Sequence, residues 1–323
     1  MLADITCRSR FDPAEIEREK SVVKEEILSY EDNPEEKVAD VLAALVWGDH
    51  ALGRPILGTA ASVDALDRGA LREHFVQRYR GDELVIAAAG GLTPERLAEL
   101  VTASFVSPAG DPPARDGLPG AFAPSVVHEE SDLQQMYLSL GTRGVSYTDP
   151  RRHALVILET LLGGGMSSRL FQTIREEAGL AYSVFSALDF LRDGGVLSIH
   201  MGVSPDRARS ALALLRRELE RLASDGPGED EVEATRMQLK GSVLIGQEST
   251  SGRMYHMARQ ELYTGGYTSP EDQVERILAV TRDEVAALAR EFLAPGRFAL
   301  AALGPVPGGA LGPADWPVDA GAV

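Results

Sequence analysis

Apolar residues recur at Ile16, Val23, Ile27 and Tyr30, at spacings of seven, four and three. That is the rhythm of a helix with one inward face, and Asp12-Pro13 ahead of it supplies an N-cap followed by proline at the first helical position. Residues 35–47 read as a second helix ending near Gly48, and 62–80 as a third around Leu66, Leu71 and Phe75. The run Glu83–Ala89 is short, apolar and closed by Gly90-Gly91, which predicts a buried strand; a helix over 94–105 follows Thr93-Pro94. From Val106 to Pro124 the pattern lapses into Pro, Gly, Ala and Asp, the composition of a linker.

Beyond the linker, SVVHEE and QQMYLSLGTR alternate as strands, while RRHALVILETLLGG and SSRLFQTIREEAG carry helical spacing. AYSVFSALDF and GGVLSIHMGV form an alternating pair joined around Arg192-Asp193. Helices are expected over 205–224, 228–264 and 282–293, and a closing strand over 298–303. A meander of strands with helices in a block is α+β rather than alternating βαβ. The expected organisation is a first segment 1–106, a linker 107–124, a complete second domain 125–304 and a tail 305–323. Residues 1–106 offer several helices but one confident strand, whose backbone groups need sheet partners from elsewhere.

Composition narrows the chemistry. The chain has 323 residues with 49 Asp+Glu against 32 Lys+Arg, a formal charge of -17. Such a balance disfavours nucleic acid and anionic membranes as partners. The single cysteine, Cys7, excludes an internal disulfide, and any metal site would draw on His and carboxylates. With no apolar run long enough to span a bilayer and no signal-like start, the default expectation is a cytoplasmic protein.

Three clusters could carry chemistry. Glu19 and Glu26 are seven residues apart on one helix, so they project from one face about 10 Å apart, able to offer a metal ligand and a supporting carboxylate. The plainer reading is a solvated acidic surface. Gly163-Gly164-Gly165-Met166-Ser167-Ser168 could form an anion nest, a flexible turn lining a peptide groove, or plain connection; no P-loop lysine follows it. Arg175, near a helix end, and Tyr182, at the start of the next strand, can converge to hold a carbonyl oxygen. Alternatively Arg175 pairs with a local Glu and Tyr182 caps the core. The six histidines are scattered and none stands in a metal-binding spacing.

Taken together, EREKSVVKEEI, HALGRPILGT, LREHFVQRYR, DELVIAAAGG and LLGGGMSSRLFQTIREEAGLAYSVFS resemble the insulinase/pitrilysin zinc metallopeptidases, most closely the mitochondrial-processing-peptidase-like branch. The resemblance runs in order along nearly the whole chain. It implies two related α+β domains, each an antiparallel-rich sheet with helices on one face, the first incomplete at its N-terminus. It also implies a zinc-dependent endopeptidase acting on a peptide or unfolded protein within an enclosed chamber, and a homo- or heterodimer with another family chain.

Residue by residue, Glu26 matches the distal zinc ligand, Glu19 the nearby supporting carboxylate, and Arg175 and Tyr182 the substrate-positioning pair. The family's inverted His-x-x-Glu-His motif, which supplies two zinc ligands and the general base, is not among these residues. Counting back from Glu26 places it about fifty residues before Met1. Without those imidazoles one carboxylate does not hold Zn²⁺, so this chain alone is expected to be inactive. The resemblance leaves two readings: the downstream part of a peptidase, or a non-catalytic partner subunit that brings the Arg/Tyr pair to a metal-bearing chain.

Overall fold

The computed structural model describes residues 1–106, 117, 118 and 120–319. Positions 107–116 and 119 of the expected linker lie outside the described residues. In chain order the elements are α1 (Leu2–Cys7), α2 (Pro13–Glu31), α3 (Pro34–Trp47), α4 (Ala60–Ala65), α5 (Arg68–Arg78), α6 (Pro94–Ser104), β1 (Val126–Glu129) and β2 (Met136–Gly144). They continue with α7 (Arg152–Gly163), a π-helical segment (Phe171–Glu177), β3 (Ala181–Phe190), β4 (Gly195–Val203), α8 (Ala208–Asp225) and α9 (Glu229–Gly246). The chain closes with α10 (Thr250–Thr264), α11 (Pro270–Ala279), α12 (Arg282–Phe292) and β5 (Ala299–Leu303).

Several expected helices divide where a side chain caps a new start. The run 62–80 becomes α4 and α5 because Asp67 accepts a bond from the Ala70 N–H at 2.7 Å. The run 228–264 becomes α9 and α10, with Ser249 accepting from the Gly252 N–H. Helices α1 and α11 were not expected; Ser269-Pro270 opens α11 with the same cap-then-proline signal as α2. Leu84–Ala89 does not form the expected strand. It has no ladder partner among the described residues, and a strand exists only as a pair.

By internal contacts the chain forms two discontinuous units: Met1–Tyr30, Pro55–Gly117 and Leu244–Thr268 in one, Glu31–Arg54, Leu118–Val243 and Ser269–Val323 in the other. In the first unit Arg68 Nε donates to the Phe11 carbonyl at 2.8 Å and the Phe11 ring meets Phe75 edge-on at 5.2 Å, which holds Phe11 at φ +52°. Helices α5 and α6 bury no residue, and apolar side chains such as Ile56, Val76 and Leu100 lie open.

The second unit is built on a five-stranded sheet in the order β1-β5-β2-β4-β3, with β1 parallel to β5 and the remaining pairs antiparallel. Alternation sends Leu138 and Leu140 of β2, Ile199 and Met201 of β4 and Leu300 of β5 into one core beneath α7, α8 and α12. The opposite face is not bare. Val38, Leu42, Val46 and Trp47 of α3 pack on Ala299, Ala301 and Leu303, and Arg143 lies over the Trp47 ring at 5.2 Å while donating to the Val46 carbonyl. The sheet is therefore covered on both sides across β2 and β5. The expected tail folds back: Trp316 is fully buried and its Nε1 donates to the Phe298 carbonyl at 3.2 Å. Among the described residues no helix is long and apolar enough to cross a membrane.

Because α3 closes the second core, Leu42→Ala is expected to lower the stability of that unit by about 2–4 kcal/mol, whereas Met237→Ala, half exposed on α9, costs less than about 1 kcal/mol. Urea unfolding followed by tryptophan fluorescence checks this, since Trp47 and Trp316 both belong to the second unit. Equal losses would contradict the assignment of α3.

Candidate functional site

The site of the second unit begins where α7 meets β3. A Cβ on Gly163 would stand 2.4 Å from the Ser186 nitrogen and 2.5 Å from its Oγ, so only glycine lets the helix end come this close to the strand. Gly163 thus serves close packing of the helix end on the strand. One turn back, Ser186 Oγ lies 3.0 Å from Glu159 Oε1 and 2.9 Å from the Glu159 carbonyl oxygen. Burial pushes the Glu159 carboxyl above its usual value, against the opposing pull of the Ser186 and Thr160 hydroxyls.

Past the glycines, Ser168 Oγ donates to the Gly165 carbonyl, and Arg169 clamps Glu231 of α9 with Nε to Oε1 at 2.7 Å and Nη2 to Oε2 at 2.6 Å. That two-pronged bond, with help from the Gly228 N–H, holds the Glu231 carboxyl below the usual range and keeps the pair charged near neutrality. The partners are 62 positions apart, and no spacing signal in the sequence announces them.

The chain then winds as a π-helix, the Ala178 N–H reaching back five residues to Thr173 O, a geometry that is rare and concentrated at functional sites. Gly179 at φ +60° ends it, the Leu180 N–H bonds to Ile174 O at 2.9 Å, and β3 starts one residue later. This abrupt turn brings Arg175 to Tyr182. The guanidinium carbon stands 4.7 Å from the Phe171 ring centroid and 5.8 Å from that of Tyr182. Its Nε forms a long ion pair with Glu176 Oε1 at 3.8 Å, beyond hydrogen-bond length.

The direction of Tyr182 is set by a register shift. Ala181 opposes Val203 and Ser183 opposes Gly202, so β3 spends one extra residue there. Below the bulge the even positions Val184, Ser186 and Phe190 are buried; at the bulge the parity slips, Ala181 takes the core side and Tyr182 is 76% exposed. Tyr182 therefore does not cap the core. Arg175 and Tyr182 together present N–H and O–H donors to solvent in an arrangement able to grip a carbonyl oxygen.

Glu19 and Glu26 belong to the first unit. Both carboxylates are exposed on α2. Glu19 lines an open groove of about 830 Å³ with Arg10, Phe11, Ile16, Lys20 and Val23; Glu26 does not line it. Among the described residues no group of three His, Cys, Asp or Glu side chains is placed to hold a metal ion. The donors present do not make a zinc site by themselves.

Glu159 gives the site a pH signature. Between the ordinary carboxylate pKa and its raised folded value, the folded chain holds more protons than the unfolded one, so its contribution to stability falls as pH rises through that window. The stability difference between Glu159→Gln and the native chain is expected to move in favour of the variant as pH rises past the ordinary carboxylate pKa and to level off once pH exceeds the raised folded value. Urea titrations at stepped pH measure it; a difference independent of pH would contradict the burial effect.

Comparison with known families and structures supplies the context for this geometry. A family model described as insulinase (peptidase family M16) matches residues 1–60, and one described as the peptidase M16 inactive domain matches residues 65–239. An uncharacterized zinc protease of Mycobacterium tuberculosis is 37% identical over 312 residues, covering 94% of this chain and 70% of the relative. One from Bacillus subtilis is 33% identical over 305 residues, covering 94% and 74%. Among solved structures, a peptidase M16 inactive domain from Pseudomonas fluorescens superposes with a TM-score of 0.86 at 22% identity, over 94% of this chain and 73% of that one. A protease from Helicobacter pylori gives 0.81 at 18%, over 91% and 72%. These last two share the fold. With family models along both parts and relatives this similar over nearly its full length, the chain belongs to the insulinase family of zinc proteases, peptidase family M16.

Proposed function

We propose that this chain is the substrate-gripping part of a zinc-dependent endopeptidase, in which Arg175 and Tyr182 hold and polarise a backbone carbonyl of a peptide or unfolded protein. The observation that carries this reading is the exposed Arg175–Tyr182 pair, aimed outward by the π-helical turn and the β3 bulge. A guanidinium N–H and a phenolic O–H donating to one oxygen withdraw charge from the carbonyl carbon and fix its orientation. Family membership supports peptide hydrolysis as the reaction class.

Within the same reading, Glu26 is the distal metal ligand and Glu19 its supporting carboxylate, completed by two imidazoles from polypeptide beyond these 323 residues. Among the described residues no three His, Cys, Asp or Glu side chains are placed together to hold a metal ion, so the two carboxylates would need those imidazoles to hold zinc. Whether the imidazoles come from the same polypeptide or from another family chain in a dimer, the role of Arg175 and Tyr182 is the same. Exposed carboxylates on α2 at both metal-site positions favour a peptidase over a purely non-catalytic partner subunit.

The purified chain, incubated with excess Zn²⁺ and dialysed, is expected to retain substoichiometric metal and to leave an unstructured peptide uncut. One zinc per chain together with cleavage would contradict the division of labour. Where a chain bearing His-x-x-Glu-His restores cleavage, Tyr182→Phe is expected to lower kcat by about 10²-fold, the scale of losing one carbonyl-polarising donor. An unchanged kcat would remove Tyr182 from the reaction.

A further inference from the structure

The outer face of β3 and β4 carries a second feature beside Tyr182. Phe185 is 46% exposed, lies on the same side of the bulged strand as Tyr182, and opposes His200 in register. The two rings stack, with centroids 5.0 Å apart and planes 23° from parallel. The imidazole is fixed at both nitrogens: Nδ1 is 2.8 Å from Ser139 Oγ and Nε2 is 2.9 Å from Ser198 Oγ. Ser198 Oγ in turn reaches the Ala187 carbonyl at 3.5 Å. With Ser198 donating there, its oxygen accepts from Nε2–H, and Nδ1 accepts from Ser139.

This network has two consequences. His200 has no free polar atom to offer a ligand, and its ring cannot swing away from Phe185. Burial also holds its pKa down to about 4, so the ring is uncharged near neutrality. Phe185 stacked on His200 is an uncharged, braced aromatic shelf. In a molecule of net charge -17 such a surface discriminates by apolar contact rather than by sign.

Distance places the shelf within reach of a peptide held at Tyr182. Three residues of regular strand span about 10 Å, somewhat less across a bulge, and an extended peptide returns a side chain to one face every 7 Å or so. A side chain two or three residues from the gripped carbonyl therefore falls on Phe185. We propose that Phe185, braced by His200, is a specificity-determining residue that receives an apolar or aromatic side chain of the peptide whose carbonyl lies on Arg175 and Tyr182. The inference rests on the reading of that pair as the carbonyl grip.

The test uses the whole chain and a set of fluorophore-labelled peptides that differ at one position, carrying Phe, Leu, Gly, Asp or Lys, with that position moved stepwise along the peptide. Fluorescence anisotropy is expected to show Phe and Leu peptides binding about tenfold more tightly than the Asp and Lys peptides at one position. Phe185→Ala is expected to level the set while leaving the Gly peptide unchanged, and Phe185→Leu to keep part of the preference. Tyr182→Phe is expected to weaken every peptide by the same factor. A preference that survives Phe185→Ala, or Asp and Lys peptides binding as tightly as Phe, overturns the shelf and leaves the grip standing. Peptides that bind equally to the native chain and to Tyr182→Phe, or not at all, overturn the grip and the shelf with it.

Discussion

One extra residue in β3 decides what this protein presents to its surroundings. Side chains alternate along a strand, so a continuous pairing from Phe190 back to Ala181 would turn Tyr182 toward the core and leave Ala181 outside. The shift between Ala181 and Ser183 reverses that parity for the first residues only. Val184, Ser186 and Phe190 stay buried, while Tyr182 and Phe185 share the outer face. The bulge is held because β4 is fixed on its other edge by an unbroken ladder to β2, from Met136 opposite Val203 to Gly144 opposite Gly195. With β4 pinned, the irregularity is confined to the β3 side, where the chain arrives from the π-helical turn.

The rest of the site depends on the stiffness of this frame. Packing of α7 through Gly163, the Arg169–Glu231 clamp and the Gly179 turn define where Arg175 emerges, and none of them touches solvent chemistry directly. Two helical faces close the sheet: α7, α8 and α12 on one side, α3 on the other over β2 and β5. Contacts of α3 concentrate on β2 and β5, and Tyr182, Phe185 and Asp189 of β3 are exposed. A rigid strand carrying exposed aromatic groups suits a binding face better than a loop would, because the groups are already ordered before a ligand arrives.

Much of this was legible in the sequence where the cause is local. The limits of β3 at 181–190 follow from alternation, the start of α2 from Asp12-Pro13, and the meeting of Arg175 with Tyr182 from a helix end and Gly179 only a few residues apart. Non-local causes left no readable mark. The apolar stripe of α3 says that the helix has a buried side, yet not that the side rests on β5, some 250 residues onward. Leu84–Ala89 has the composition of a strand, but a ladder belongs to two segments and only one is at hand among the described residues. The pairing of Phe185 with His200 follows the regular register counted from the Phe190–Gly195 end, whereas the outward turn of Tyr182 depends on the shift, which alternation alone misplaces by one residue.

The central claim is that the bulge and the π-helical turn aim Arg175 and Tyr182 at one peptide carbonyl. A crystal structure of the chain with a bound unstructured peptide tests it most directly. The expected result is a backbone carbonyl oxygen within about 3 Å of both the Tyr182 hydroxyl and the Arg175 guanidinium, the length of a strong hydrogen bond. A peptide seated elsewhere with both side chains still facing solvent, or a continuous β3 ladder with Tyr182 turned into the core, would contradict it.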